Sequence, residues 1–300
     1  MKNVLITGGT GFIGRHLTQK LTSEGYHVYI LTRSSDKKQS ENGVTFIRWM
    51  TNGAAPENDL PAITAVVNLA GESINGRWTK SKKENILQSR LSVTKELLRL
   101  LEKMEHKPEV WVNASAVGYY GTSKKEIFTE ESPGADNDFL AHVTALWEKE
   151  ASRAGQMGLR FAVTRFGVVL GEDGGALSRM IAPFKYYAGG RVGSGSQWLS
   201  WIHVEDAARL IQFAIENKNI NGPVNATAPH PVTMDEFGKE TARIMNKPYF
   251  LPAPSFALKW LLGEMSMLVL EGQHVIPKKA SDNGFEFRYQ RLTEALRDLI

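Results

Sequence analysis

The sharpest chemistry-bearing spacing lies close to the amino terminus. Gly9-x-Gly11-x-x-Gly14, with Gly8 adding the variant Gly8-x-x-Gly11-x-x-Gly14, fits a dinucleotide fingerprint. Glycines so spaced permit a tight turn, let backbone approach a pyrophosphate and let a helix pack closely on a strand. Thr10, Phe12 and Ile13 complete the loop, and a helix starting near Phe12 offers free N–H groups and a positive dipole end to phosphates. Downstream, Thr32-Arg33-Ser34-Ser35 stands where a second strand should end, Arg33 lying 19 residues after Gly14. An acidic residue there would accept from the ribose 2′-OH of NAD. An arginine fork instead suits a 2′-phosphate, so NADP is the cofactor expected.

The other candidates are single residues. Tyr120 and Lys124 make the one Tyr-x-x-x-Lys of the chain, but Gly121-Thr122-Ser123 between them reads as a turn, and only a helix places i and i+4 on one face. Tyr120 alone is therefore expected to reach a cleft and touch substrate. Ser115 either polarises a substrate carbonyl or hydroxyl or is a strand-end turn serine. Arg90 either binds pyrophosphate or is a charge on a helix surface. Glu72 and Glu148 have the chemistry to supply a proton, although lone glutamates are more commonly solvated. Trp198 and Trp201 suit the floor of a sugar or ring pocket, or core packing. His16, His27, His106, His142, His203, His230 and His274 show no metal-ligand spacing, so no metal site is expected.

These residues need elements to hold them. Asn3 to Thr7 reads as a strand buried on both faces, Arg15 to Ser23 as a helix closed by Gly25, and His27 to Thr32 as the next strand. Strand, glycine turn, helix and strand make one βαβ unit with a right-handed crossover. The alternation continues with strands at Ala65 to Leu69 and Val110 to Ala114, helices at Lys82 to Met104 and Phe139 to Arg153, and extended chain from Arg160 to Val169. That rhythm predicts an α/β fold with a doubly wound parallel sheet. After about residue 170 it breaks into glycine-rich and proline-rich text, which predicts a small, interleaved second domain.

Composition limits the function classes. The 300 residues suggest about two units at roughly 150 residues per domain. Hydrophobic content of 42% and charged content of 23% exclude disorder and coiled coil. With no cysteine, disulfides and thiol catalysis are excluded. The net charge of +4 is spread in pairs such as Lys37-Lys38 and Lys82-Lys83, so no nucleic-acid partner is expected, while a phosphorylated small-molecule substrate fits. The most apolar stretch, Trp260 to Leu270, is 11 residues long and carries Glu264. A span needs about 20 apolar residues, so no membrane partner is expected. Lys2 precedes only a short apolar run, which does not read as a signal peptide, and a cytoplasmic location is expected.

Over nearly its whole length the chain resembles the extended short-chain dehydrogenase/reductases, the group of nucleotide-sugar epimerases and dehydratases. Thr7 to Gly14 looks like the family's nucleotide loop, and Val67-Asn68-Leu69-Ala70-Gly71 like its segment against adenosine and ribose. Asn113-Ala114-Ser115-Ala116-Val117-Gly118-Tyr119-Tyr120-Gly121 resembles the segment carrying the active-site serine or threonine. Arg165 to Gly171, including Gly167 and Val168, resembles the loop over the nicotinamide, and Trp201 to Asp206 the segment shaping the substrate site. More narrowly, Gly71-Glu72-Ser73-Ile74, Gln197 to Trp201 and Leu270 to Pro277 are similar to the atypical subgroup called epimerase family proteins. The resemblance implies an NADP-binding Rossmann domain over residues 1–170 with a return segment at about 201–226. Residues 171–200 and 227–300 then form the C-terminal substrate domain. It also implies that Glu72, Tyr119, Trp198 and Trp201 face substrate, and that the helices at Lys82 to Met104 and Phe139 to Arg153 form a homodimer face.

One departure matters. The family's Tyr-x-x-x-Lys helix reads here Phe139-Leu140-Ala141-His142-Val143-Thr144, with Leu140 and Thr144 where Tyr and Lys should stand. Hydride chemistry would then proceed without a lysine-activated tyrosine, Ser115 and Tyr120 polarising a carbonyl, and reduction would outrun oxidation. The function implied is an epimerase-like or carbonyl-reducing oxidoreductase. The alternative is a catalytically impaired NADP(H)-binding sensor or scaffold. The cofactor expectation is measurable by calorimetry: NADPH binds more tightly than NADH, and Arg33→Ala removes about 1.5–3 kcal/mol from NADPH binding alone. Equal affinities of the parent for both cofactors would refute it.

Overall fold

A parallel sheet buried on both faces must be read from runs whose alternate residues face opposite cores. The computed structural model describes residues 2–34 and 43–300; Ser35 and the Lys37-Lys38 pair fall outside the described residues. Seven strands form the main sheet: β1 (Asn3–Thr7), β2 (His27–Thr32), β3 (Val44–Arg48), β4 (Ala65–Asn68), β5 (Val110–Ala116), β6 (Arg160–Phe166) and β7 (Gly222–Ala226). Their order is β7-β6-β5-β4-β1-β2-β3, and every pairing is parallel. Strand order reverses beside β1, which opens a crevice at the carboxyl ends of β1 and β4.

Alternation along β1 separates the two cores. Val4 and Ile6 pack with Leu17 and Leu21 of helix α1 (Phe12–Ser23). Leu5 packs on the other face with Leu97 and Leu101 of helix α2 (Lys80–Lys103). Helix α3 (Phe139–Ala151) lies beside α2 on that second face, and its N-cap Asp138 accepts from the Ala141 N–H. The outward positions Gln88, Ser92, Lys95, Arg99, His142 and Lys149 of these two helices are polar and exposed.

The extended run expected from Arg160 to Val169 divides at Gly167. A Cβ there would stand 2.4 Å from the Ser200 carbonyl oxygen. Beyond it, Val168–Gly171 leaves the main sheet and pairs with Trp201–His203. Helices α4 (Leu177–Lys185), α5 (Val204–Glu216), α6 (Met234–Met245), α7 (Ser255–Leu262) and α8 (Leu292–Leu299) follow. Helix α5 packs on α1 against the main sheet. The expectation that Trp201 faces substrate is corrected. Its ring is fully buried with Leu177, Leu199 and Leu296, and its indole N–H donates to the His230 carbonyl. Among the described residues no helix is long and apolar enough to cross a membrane.

The second core carries a polar row. Thr7, Asn68 and Asn113 pair across β1, β4 and β5, each with no exposed surface. Thr7 donates to Asn68 Oδ1 at 2.6 Å, while Asn68 Nδ2 donates to Asn113 Oδ1 at 2.8 Å and Thr94 Oγ1 at 3.1 Å. Replacing Asn68 by Leu strands these buried partners, so urea unfolding should show a loss of about 3 kcal/mol or more. A loss below about 1 kcal/mol would mean that the row is replaceable by apolar packing.

Candidate functional site

At the carboxyl end of β1 the chain turns through Gly8, whose φ of +71° an L side chain rarely adopts. A Cβ at Gly14 would stand 2.2 Å from the Gly8 carbonyl oxygen, so the start of α1 can sit on the turn only without a side chain. The Gly11 N–H closes the turn on that oxygen at 2.9 Å. Gly11 and Thr10 are exposed at the mouth, and Phe12 and Ile13 are half-buried. The turn therefore aims the unpaired N–H groups of the first helical turn at the crevice.

Across the reversal point, Leu69, Ala70 and Gly71 leave β4 beside Gly8. Arg90 secures this exit by donating to the carbonyls of Glu72 (3.1 Å) and Ile86 (2.8 Å), with its guanidinium over the Trp147 ring. Burial draws Arg90 down to about 10, opposed by Glu72. Arg90 thus clamps backbone, a role between the two read from sequence. Glu72 is exposed; its ion pair with Lys82 at 2.6 Å holds the carboxyl below its ordinary value, with smaller contributions from Arg90 and Arg33. Thr32 is half-buried at the end of β2, and Arg33 beyond it is exposed.

A second polar row crosses β5, β6 and β7. Register places Ser115 beside Arg165 and Arg165 beside Asn225. Glu148 of α3 reaches down onto this row. Its carboxylate takes Arg165 Nε on Oε1 at 2.9 Å and the terminal Arg165 nitrogen on Oε2 at 2.8 Å. Ser115 Oγ donates to the same Oε1 at 2.6 Å. The Arg165 side chain is 4% exposed and that of Glu148 is 13% exposed, so the pair is shielded but still borders the cleft. Burial works against the guanidinium charge, yet Glu148 and Tyr120 more than offset it and raise Arg165 above its ordinary value. The guanidinium lies over the Tyr119 ring, its central carbon 3.5 Å from the ring centroid.

This network corrects the expected role of Tyr120. The residue ends a short 3-10 turn (Val117–Tyr120), is 3% exposed, and does not reach into the cleft. Its hydroxyl donates to Asn225 Oδ1 at 2.7 Å and accepts from Arg165 at 2.9 Å. Burial pushes the phenol up to about 12 against the opposing Arg165 charge. Lys124 is exposed, and the Tyr120 hydroxyl is taken up by Asn225 and Arg165 instead. Trp198 is half-buried, its ring tilted at 42° against that of His274 with centroids 4.2 Å apart, and its indole N–H donates to the Lys124 carbonyl. Gly167 and Val168 are half-buried at the end of β6.

The pairing of Glu148 with Arg165 has signals in the sequence beyond the separate roles expected of the two residues. Arg165 is a charge among the buried residues Ala162-Val163-Thr164-Arg165-Phe166 of its strand, and a buried charge requires a counter-charge. Glu148 stands four residues after Thr144 and eight after Leu140, on the helix face where the family's tyrosine and lysine stand. Chemically, a carboxylate offers acceptors only, so the Ser115 proton is committed to Glu148. The free lone pairs of Ser115 Oγ then accept from a donor in the cleft.

The family model described as "NAD dependent epimerase/dehydratase family" matches residues 4–226, and a domain of unknown function matches residues 253–299. The epimerase family protein YfhF of Bacillus subtilis is 52% identical over 298 residues, covering 99% of this chain and 98% of that protein. The crystal structure of human epimerase family protein SDR39U1 with NADPH superposes with a TM-score of 0.88 at 34% identity, covering 99% and 98% of the two chains. A nucleoside-diphosphate sugar epimerase from Corynebacterium glutamicum gives a TM-score of 0.78 at 32% identity, covering 99% of this chain and 58% of that one.

The ion pair yields a stability test. Glu148→Ala leaves the Arg165 charge buried and uncompensated, so chemical denaturation should show a loss of about 3–5 kcal/mol. The double variant Glu148→Ala/Arg165→Met should recover part of that loss. A double variant less stable than Glu148→Ala alone would mean that Arg165 serves the fold through its other partners.

Proposed function

Because the chain belongs to the NAD-dependent epimerase/dehydratase family, we propose that it is an NADP(H)-dependent oxidoreductase in which Ser115 and Glu148 carry the proton. Its substrate is a small molecule bearing a hydroxyl or carbonyl, of nucleotide-sugar type. The observation that carries this reading is the 2.6 Å hydrogen bond from Ser115 to a carboxylate held in both directions by Arg165, at the strand end where the crevice opens. The NADPH in the human relative supports the choice of cofactor, as does Arg33 exposed at the end of β2.

The Gly8 to Gly14 turn would hold the pyrophosphate, Leu69 to Gly71 the adenosine side, and Thr32 and Arg33 the 2′-phosphate. When bound, the nicotinamide supplies hydride exchange at the substrate carbon. The protein supplies the proton path. A substrate hydroxyl donates to Ser115 Oγ, and its proton passes to Oγ as the serine proton passes to Glu148 Oε1. Reduction of a carbonyl runs the same path backwards, with Glu148 first protonated.

The reading is tested with a panel of nucleotide sugars and simpler hydroxy compounds, following nicotinamide absorbance, with cofactor binding measured separately by calorimetry. Ser115→Ala and Glu148→Gln should keep NADPH affinity within about threefold while lowering turnover by about 100-fold or more. Turnover undiminished in both variants would overturn the proton path. Tight cofactor binding with no hydride exchange across the panel would favour a sensor or scaffold.

A further inference from the structure

Exposed apolar side chains are concentrated on one face. Of the ten large ones exposed among the described residues, seven lie at 186–187, 250–251 and 256–261. These segments form one surface. Residues 250–253 run alongside 189–193, through bonds from the Phe250 N–H to the Gly189 carbonyl (3.0 Å) and from the Ala253 N–H to the Arg191 carbonyl (2.8 Å). The chain then enters α7, which has no buried residue at all. Phe256 and Trp260, one turn apart on α7, are 77% and 84% exposed, and Tyr186 at the end of α4 is 81% exposed. A helix this apolar and this bare is unusual, because a surface helix ordinarily buries its apolar stripe.

The charges on this face have one sign. Residues 177–193 and 246–262 contain Arg179, Lys185, Arg191, Lys247 and Lys259, and no Asp or Glu. The neighbouring carboxylates are already paired, Asp235 with Lys239 and Glu264 with Lys83. Lys185 and Lys259 are exposed beside the aromatic rings.

We propose that this face is a docking surface for an anionic lipid bilayer. Helix α7 lies flat on the bilayer, with Phe256 and Trp260 at the boundary between headgroups and acyl chains and Lys185 and Lys259 against lipid phosphates. Trp and Tyr suit that boundary because each couples an apolar ring to a polar edge. Each cation near the surface adds about fivefold to binding of an anionic membrane. A second copy of the chain fits less well, because a two-fold contact would set the same cations against one another. The sequence expectation of no membrane partner followed from spanning length, which does not govern a helix lying in the interface.

The experiment is co-sedimentation of the full chain with vesicles of phosphatidylcholine alone and of phosphatidylcholine doped with phosphatidylglycerol. Partition should be about tenfold stronger onto the anionic vesicles and should weaken with added salt. Phe256→Ser/Trp260→Ser should reduce that partition about tenfold, and Lys185→Ala/Lys259→Ala should remove the preference for anionic lipid. Circular dichroism confirms that each variant is folded. The proposal is overturned by no binding to either vesicle, by equal binding to both, or by variants that partition like the parent. A concentration-dependent dimer abolished by Phe256→Ser/Trp260→Ser would overturn it in favour of self-association.

Discussion

A guanidinium buried on the penultimate strand of a parallel sheet is the constraint around which the site is arranged. Arg165 occupies a strand position among buried residues, and its side chain is 4% exposed. An unpaired charge there would be prohibitive, so every polar group within reach is organised by it. Glu148 binds it in two directions, Tyr120 donates its hydroxyl proton elsewhere so that the oxygen can face the guanidinium, and the Tyr119 ring lies beneath it. Ser115 is oriented at one remove, because the oxygen it donates to is already fixed. Preorganisation of this kind spares a site the cost of arranging its dipoles at the moment of reaction.

The nucleotide side of the crevice depends on a different limit, the absence of side chains. Gly8 and Gly14 let strand, turn and helix meet at backbone distance, and Leu69 passes so close to Gly8 that a Cβ there would lie 2.8 Å from its carbonyl oxygen. The two halves of the site are thus held by opposite means. Steric emptiness shapes the phosphate end, and a buried ion pair shapes the proton end.

The sequence disclosed these halves unequally. The glycine spacing, the βαβ rhythm and the ends of β1 and β2 are legible because each is a local signal, confined to a few consecutive residues. Strand β3 was not read, since Val44 to Arg48 is short and only Ile47 in it is fully buried. Trp201 and Tyr120 were misplaced because an aromatic residue near a strand end looks the same whether its ring enters a cleft or a core. The row Ser115–Arg165–Asn225 is a property of register between strands more than a hundred residues apart from first to last, and no local pattern encodes it. Only the oddity of an arginine in a largely apolar strand pointed towards it.

The place of Asn225 has a consequence for the order in which the molecule is built. Strand β7 is the outermost on its side of the sheet, and Asn225 is held there by the Glu130 carboxylate and the Ile276 carbonyl, contacts separated by 95 and 51 residues. Domains fold progressively as the chain emerges during synthesis. The glycine turn and strands β1 to β5 can assemble early, from neighbouring segments. Asn225 on β7, which accepts from Tyr120 and lies beside Arg165, and the tail that clasps it, arrive last. Until then Arg165 sits on an open sheet edge, where water can still solvate it. The nucleotide-binding segments are thus complete in the nascent chain before the residues that close the proton site, and burial of Arg165 has to wait for the last of them.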